Sequence, residues 1–172
     1  MSTCIIRPYQ PSDAKQVYEA VRESLADLLP WMPWCHPEYS LEEARQWVGA
    51  QEQLVERGAA YEFAILDERG GYLGGCGVNQ VVHAHRFANL GYWVRSSATG
   101  RGTAAAAARL VADYAFRQTA LVRLEIVCAV DNLRSQRAAE KTGAVREGLL
   151  RGRLVLHGTP RDAVMYSIVR GR

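Results

Sequence analysis

Long apolar runs are missing from this chain. Nothing in it approaches the ~20 residues that a membrane-spanning helix needs. The start, Met1-Ser2-Thr3-Cys4-Ile5-Ile6-Arg7-Pro8, has no extended apolar core of the secretory type. Cysteine is scarce and scattered: Cys4, Cys35, Cys76 and Cys128 form no C-x-x-C pair. That spacing argues against zinc and dithiol redox motifs, and no disulfide framework is expected without a leader. The expectation is a cytoplasmic protein with no metal and no membrane partner. Net charge is only +3, too little to imply nucleic acid. The basic residues Arg146, Arg151 and Arg153 read as a solvated face. Linkers, repeats and low-complexity stretches are also lacking, so residues 1–172 are expected to form a single domain.

The hydrophobic share is 48% and the charged share 23%, enough apolar material for one ordinary core. Thr3 to Arg7 reads as a strand ended by Pro8. Pro11-Ser12-Asp13 offers caps for a helix with Val17, Val21, Leu25 and Leu28 at helical spacing. Trp31-Met32-Pro33-Trp34-Cys35-His36-Pro37 then breaks regularity. Ser40-Leu41-Glu42-Glu43 is a capping box that opens a second helix, with Gly58 as its stop. Tyr61 to Leu66 and Tyr72 to Val82 form a hairpin about Asp67 to Gly71. A third strand follows, from Arg86 to Val94. A long helix is expected through Phe116, a strand at Leu124 to Val130, and a helix from Leu133 to Thr142 capped by Asp131-Asn132 and stopped by Gly143. Strands near Val145 to Leu156 and Ala163 to Val169 close the chain. The order β-α-α-β-β-β-α-β-α-β-β is a mixed α/β pattern rather than a βαβ repeat.

The most informative stretch runs from Gly91-Tyr92-Trp93-Val94 into Thr99-Gly100-Arg101-Gly102-Thr103-Ala104 and the alanines that follow. A helix that starts on glycines presents backbone N–H groups and the positive end of its dipole, a setting for phosphate. No lysine follows Gly102, which removes the P-loop. Gly100, Gly102 and Ala105 formally match a dinucleotide fingerprint. The preceding strands are hairpin-connected, however, and Glu125 falls near the start of the next strand, away from a ribose.

The same turn resembles the acetyl-CoA site of the Gcn5-related N-acetyltransferase (GNAT) superfamily, whose pattern is approximately [QR]-x-x-G-x-[GA]. Gly102 and Ala104 fall on its small positions, while Thr99 stands where the pattern has Gln or Arg. Asn89-Leu90-Gly91-Tyr92-Trp93-Val94, Arg123-Leu124-Glu125-Ile126, Asp131-Asn132-Leu133-Arg134-Ser135, Glu140-Lys141-Thr142-Gly143-Ala144 and Asp162-Ala163-Val164-Met165-Tyr166 follow in order. Together they resemble the ribosomal-protein N-acetyltransferases of the RimJ/RimL type over nearly the whole chain.

That resemblance implies an α+β (mixed α/β) GNAT-like fold: a central, mainly antiparallel twisted sheet of about seven strands flanked by helices. It implies an acetyl-CoA-dependent N-acetyltransferase in which a primary amine attacks directly. The strand Tyr92-Trp93-Val94 would run beside the pantetheine arm, splayed from its neighbour. Thr99, Gly100, Arg101, Gly102, Thr103 and Ala104 would hold the pyrophosphate. Asn132 would bond the pantetheine arm, or simply cap a helix. Ser135 would sit near the thioester sulfur and serve catalysis by donating to the departing thiolate. Cys128 matches a position near that sulfur and reads first as a buried strand cysteine. No base is assigned: Glu62, His83 and His85 are the candidates, and Asn89 stands where relatives often carry glutamate. The segment Leu29 to His36 either borders the acceptor or plugs the core. The acceptor is a protein N-terminus or a small amine, amino acid or antibiotic, and a homodimer is possible. The alternatives from other classes are a non-catalytic acyl-CoA-binding protein and a nucleotide-dependent oxidoreductase.

Overall fold

Alternation of side chains along the second strand sets the architecture. In the computed structural model, which describes residues 4–171, Phe63 and Ile65 enter one apolar cluster while Ala64 and Leu66 enter another. A strand buried on both faces needs helices on both sides. The helices divide accordingly. The elements are β1 (Ile5–Pro8), α1 (Ala14–Glu23), the one-turn α2 (Leu25–Leu28), α3 (Leu41–Glu56), β2 (Tyr61–Leu66), β3 (Tyr72–Val82), β4 (Phe87–Val94), α4 (Thr103–Gln118), β5 (Arg123–Ala129), α5 (Leu133–Lys141), β6 (Val145–Leu156) and β7 (Thr159–Val169). Among the described residues the strands form one seven-stranded sheet in the order β1-β2-β3-β4-β5-β7-β6. Every neighbouring pair is antiparallel except β4 and β5, which α4 connects as a crossover. The mainly antiparallel sheet expected from the resemblance is therefore present.

Helix α4 lies on the face that holds Phe63 and Ile65. Its alanines Ala105, Ala107, Ala108, Ala112 and Ala115 are buried with Val111. Side chains this small let the helix axis come close to the sheet. The helix α3 begins on the capping box: the Ser40 Oγ accepts the Glu43 N–H at 3.3 Å, and the Glu43 carboxylate accepts the Ser40 N–H at 2.9 Å. Two backbone donors at that end are thus satisfied. On this second face, Val17, Ala20 and Val21 of α1 pack with Ala44 and Val48 of α3.

Several boundaries differ from the expectation. Thr3 lies outside the described residues. The first helix is interrupted at Ser24 (φ −107°, ψ 11°), whose buried hydroxyl accepts the Ser96 N–H at 2.9 Å. The last strand starts at Thr159, earlier than its apolar alternation suggests. His157 and Gly158, both at positive φ, make the tight turn of a β6–β7 hairpin that pairs Leu156 with Thr159 and Leu154 with Arg161. Among the described residues no helix is long and apolar enough to cross a membrane, and no group of three or more His, Cys, Asp or Glu is placed to hold a metal ion.

Candidate active site

The parallel strands β4 and β5 stay together for only three pairs, Phe87 with Arg123, Ala88 with Leu124 and Asn89 with Glu125. Beyond Asn89 they diverge, although β4 runs on to Val94 and β5 to Ala129. Strands parted in this way leave ladder donors and acceptors facing a gap. A cavity of about 760 Å³ opens there, lined by Leu90 to Trp93 on one side and Ile126 to Ala129 on the other.

Strand β4 presents two different faces to this gap. Ala88 and Leu90 point into the α4 core, and Tyr92 and Val94 pack against it. Asn89, Gly91 and Trp93 alternate with them. Tyr92 reaches helix α5: its hydroxyl donates to the Ser135 carbonyl oxygen at 2.8 Å. The Ser135 Oγ lies 3.4 Å from the Tyr92 hydroxyl, to which it donates, and 3.2 Å from the Cys128 Sγ. Burial pushes both the Tyr92 phenol and the Cys128 thiol above their ordinary values, so both stay protonated at neutral pH. Three neutral groups, a phenol, a hydroxyl and a thiol, thus converge on one wall of the cavity.

Asn132 caps α5, its Oδ1 accepting the Ser135 N–H at 3.0 Å. That bond fixes where the first turn of the helix begins, and so where Ser135 stands. The Asn132 side-chain amide donors make no hydrogen bond among the described residues, and Asn132 lines the cavity.

The glycine turn lies beyond Val94. Gly100 and Gly102 adopt φ of 78° and 81°, left-handed values suited to glycine. Gly102 is the N-cap of the sixteen-residue α4 and has no side chain to cap it. Arg101 is exposed, Thr103 is buried and Ala104 is half-buried. The Thr99 hydroxyl donates to the Ser96 carbonyl at 2.9 Å, so this side chain closes the local loop. The approach to the turn is pinned to the end of α1. Glu23 accepts the Ser97 N–H at 2.9 Å and pairs with Arg95, and the Arg95 guanidinium with the Ser97 amide holds that carboxyl down at about 2.

The sheet floor on the other side of the cavity is bare. Gly75 and Gly77 of β3 and Gly91 of β4 share one face, and Gly75 and Gly91 line the cavity. Above this floor stand Trp31, Met32, Pro33 and Trp34 from the irregular segment after α2, with Trp47 of α3 and Trp93. Trp34 lies 6.0 Å from Trp93 and 5.9 Å from Tyr39, ring centre to ring centre. Trp34 is 43% exposed while Cys35 beside it is fully buried. The segment both borders the cavity and anchors in the core.

The cavity brings together Tyr92, Trp93, Asn132 and Ser135 from the sequence-derived set. Val94 and residues 99–104 are outside its lining, farther along the β4–α4 connection. His83 and His85 are exposed on the β3–β4 turn and absent from this lining. Two features escaped sequence reading. One is the Tyr92 hydroxyl contact with Ser135, which spans 43 positions. The other is a chain of polar side chains, Glu62, Asn79 and Asn89, on three neighbouring strands. A polar residue in each of three apolar strands was the available signal, but only their register unites them.

A family model for the acetyltransferase (GNAT) domain matches residues 4–145. The chain belongs to the GNAT acetyltransferase family. Among relatives of this GNAT protein, YdaF of Bacillus subtilis (strain 168) is 28% identical over 172 residues, covering 96% of this chain and 90% of YdaF. The ribosomal-protein-serine acetyltransferase of Escherichia coli (strain K12) is 27% identical over 153 residues, 89% of this chain and 85% of its own. Among solved structures, RimL, a ribosomal L7/L12 α-N-protein acetyltransferase in complex with coenzyme A, superposes with a TM-score of 0.89 at 25% identity, covering 98% of this chain and 95% of RimL. The Salmonella typhimurium acetyltransferase that modifies the N-terminal serine of ribosomal protein L7/L12 gives 0.85 at 26% identity, covering 98% and 96%. The GNAT fold, the N-acetyltransferase class and the kinship with ribosomal-protein acetyltransferases expected from the motifs all hold.

Proposed function

We propose that this protein transfers an acetyl group from acetyl-CoA to a primary amine by direct attack, with a protein N-terminal α-amine of the ribosomal-protein type as the acceptor. The observation that carries this reading is the parting of β4 from β5 after Asn89, with the Tyr92–Ser135–Cys128 cluster on the wall of the gap.

The residues suit an extended thioester with a diphosphate at one end. The backbone of Tyr92, Trp93 and Val94 provides ladder groups for the pantetheine amides, and an N–H there polarises the thioester carbonyl. Thr99, Gly100, Arg101, Gly102, Thr103 and Ala104 surround the start of α4, where the helix dipole favours the pyrophosphate. Asn132 offers its amide N–H to the arm while its Oδ1 keeps the cap. The amine nitrogen forms its bond to the carbonyl carbon, the carbon–sulfur bond breaks, and the sulfur departs with the electron pair. Ser135 donates a hydrogen bond from its hydroxyl to that sulfur, and the sulfur takes up the proton that the nitrogen loses as the amide forms. Cys128, held as a neutral thiol, supports the Ser135 hydroxyl and forms no acyl intermediate. The exposed Trp34 and the aromatic wall around it border the incoming amine.

The test is a panel of acceptors offered with acetyl-CoA, with mass spectrometry of the product: octapeptides beginning with serine or alanine, phenethylamine, free amino acids and aminoglycosides. Acetylation of the peptide α-amine supports the reading, and exclusive acetylation of small amines moves the acceptor class. Coenzyme A that binds tightly with no product from any amine would make the chain a binding protein.

A further inference from the structure

Glu62 stands in an unusual place for a carboxylate. It sits in β2, opposite Gly77 of β3, which in turn pairs with Gly91 of β4. Its neighbours along that row therefore have no side chains. A Cβ built on Gly77 would overlap the Glu62 carboxylate and approach the Glu62 Cα to 2.7 Å. The missing side chain of Gly77 is what admits the carboxylate over the sheet. The Glu62 Oε1 accepts from the Asn79 Nδ2 at 2.8 Å, and the Asn79 Oδ1 accepts from the Asn89 Nδ2 at 2.9 Å. Glu62, Asn79 and Asn89 all line the cavity that Ser135 and Tyr92 line from the other side. No basic side chain pairs with Glu62 among the described residues. Glu62 is half-buried, and a carboxylate partly withdrawn from water without a cationic partner bears a desolvation cost. Such a group is matched by a cation that arrives with the ligand.

Resting on the acetyltransferase reading above, we propose that Glu62, positioned by the Asn79–Asn89 amide chain in the space left by Gly77, binds the ammonium group of the acceptor and takes its proton. One N–H proton of the ammonium moves to a Glu62 oxygen, which frees the nitrogen lone pair for the carbonyl carbon. A second N–H proton leaves as the amide forms and ends on the coenzyme A sulfur. The proton on Glu62 then passes to solvent. The sum is ammonium plus thioester giving amide, thiol and one proton.

The surroundings agree in sign. Burial raises the Glu62 carboxyl above its ordinary value, and the Asn79 hydrogen bond draws it back part of the way. A base in this range holds a proton better than an exposed glutamate does. The titratable groups that the Glu62 charge reaches are Tyr9, Tyr72 and Cys76, all pushed upward by burial and so neutral. Across the cavity, α3 contributes Glu43, engaged with Ser40 and His36, and β6 contributes Arg153.

The test compares wild type, Glu62→Gln and Asn79→Ala, with circular dichroism checking the fold of each. The wild-type enzyme delivers its own base to a charged amine. Its kcat/KM is then level from the Glu62 ionisation up to that of the acceptor, about 8 for a serine-initiated octapeptide and about 10.4 for phenethylamine by analogy with lysine. Glu62→Gln must wait for neutral amine from solution. Its kcat/KM falls about 10²-fold near pH 7 and climbs roughly tenfold per pH unit toward the acceptor's ionisation. A Glu62→Gln profile parallel to wild type overturns the proposal. Binding separates this from the acetyltransferase reading. With coenzyme A present, Glu62→Gln is expected to lose at least about tenfold in affinity for phenethylamine at pH 7, with 2-phenylethanol unaffected. Equal loss for both, or none for the amine, overturns the ammonium site whether or not the wild type turns over. Should Glu62→Gln not fold, Asn79→Ala decides. Loss of its hydrogen bond moves the acid limb of kcat/KM to higher pH, and an unmoved limb overturns the proposal.

Discussion

Replacing Ser135 by alanine tests the leaving-group step. The Oγ stands 3.2 Å from the Cys128 Sγ and 3.4 Å from the Tyr92 hydroxyl, so in the resting protein it makes only long contacts. Its removal leaves the Asn132 cap intact, because that cap uses the Ser135 backbone N–H. Alanine is also a better helix former than serine. Stability should therefore change by less than about 0.5 kcal/mol. In the proposed transition state the same hydroxyl would meet a developing thiolate. A hydrogen bond to a charged group is worth about 1.5–3 kcal/mol, which corresponds to roughly 10- to 150-fold in kcat. The Tyr92 hydroxyl stays committed to the Ser135 carbonyl, so it is a poor substitute donor. The assay is single-turnover quench with acetyl-CoA saturating and product read by mass spectrometry, under conditions where added viscogen leaves the rate unchanged. The expected result is a fall in kcat within that range, KM for acetyl-CoA within about twofold, and partial recovery in Ser135→Thr. A kcat for Ser135→Ala within twofold of wild type would remove Ser135 from this role.

Other outcomes follow from the same geometry. Asn132→Ala should lose about 1 kcal/mol of stability through the missing cap and should raise KM for acetyl-CoA. Asn132→Asp should keep the cap and the melting temperature while still raising KM; if neither variant changes KM, Asn132 is a cap alone. Acid should destabilise the fold through Glu23 and Glu147, which Arg95 with the Ser97 amide and Arg123 with the Ser167 hydroxyl hold down at about 2. Their folded values lie below the ordinary 4.5, so the stabilisation is fully present above that pH and is lost as pH falls through about 2. Both pairs are partly exposed, which limits the effect. Melting temperature measured from pH 5 to pH 2 should fall, and Glu147→Gln should flatten the curve; equal slopes in the two proteins would show that this pair is irrelevant to acid stability.

What the sequence disclosed and what it hid divide by distance along the chain. The capping box at Ser40, the Asn132 cap, the hairpin at Asp67 to Gly71 and the glycine turn before α4 all depend on residues within about five positions of each other. Their side chains act on the nearest backbone groups, so the local pattern carries the information. The same is true of the family motifs, which are short and occur in order. The cavity is different. Gly75, Gly77 and Gly91 look like unrelated breaks in two strands until the β3–β4 register places them on one face. Glu62 reads as one of three candidate bases, with nothing to single it out, until β2 pairs it with Gly77. The Tyr92 hydroxyl meets Ser135 only because α4 carries the chain across to a parallel neighbour and α5 returns over it.

These hidden contacts share one cause, the two-residue period of β4. Positions 88, 90, 92 and 94 face the α4 side, and there Tyr92 supports the wall where the sulfur would leave. Positions 89, 91 and 93 supply the last link of the Glu62 chain, the bare floor and the indole beside Trp34. In the proposed mechanism the leaving group and the acceptor would thus be handled by opposite faces of one strand, at the point where its neighbour β5 has moved away. A slip of one residue in the β3–β4 register would exchange every one of these side chains between the two faces. The irregularity between Asn79 and Val82, where Gln80 takes a φ of 50°, absorbs the extra residue of the β3–β4 hairpin outside the stretch from Gly74 to Asn79. The pairs Asn79 with Asn89, Gly77 with Gly91 and Gly75 with Trp93 keep strict alternation up to the gap, and that alternation would keep the two halves of the proposed chemistry apart.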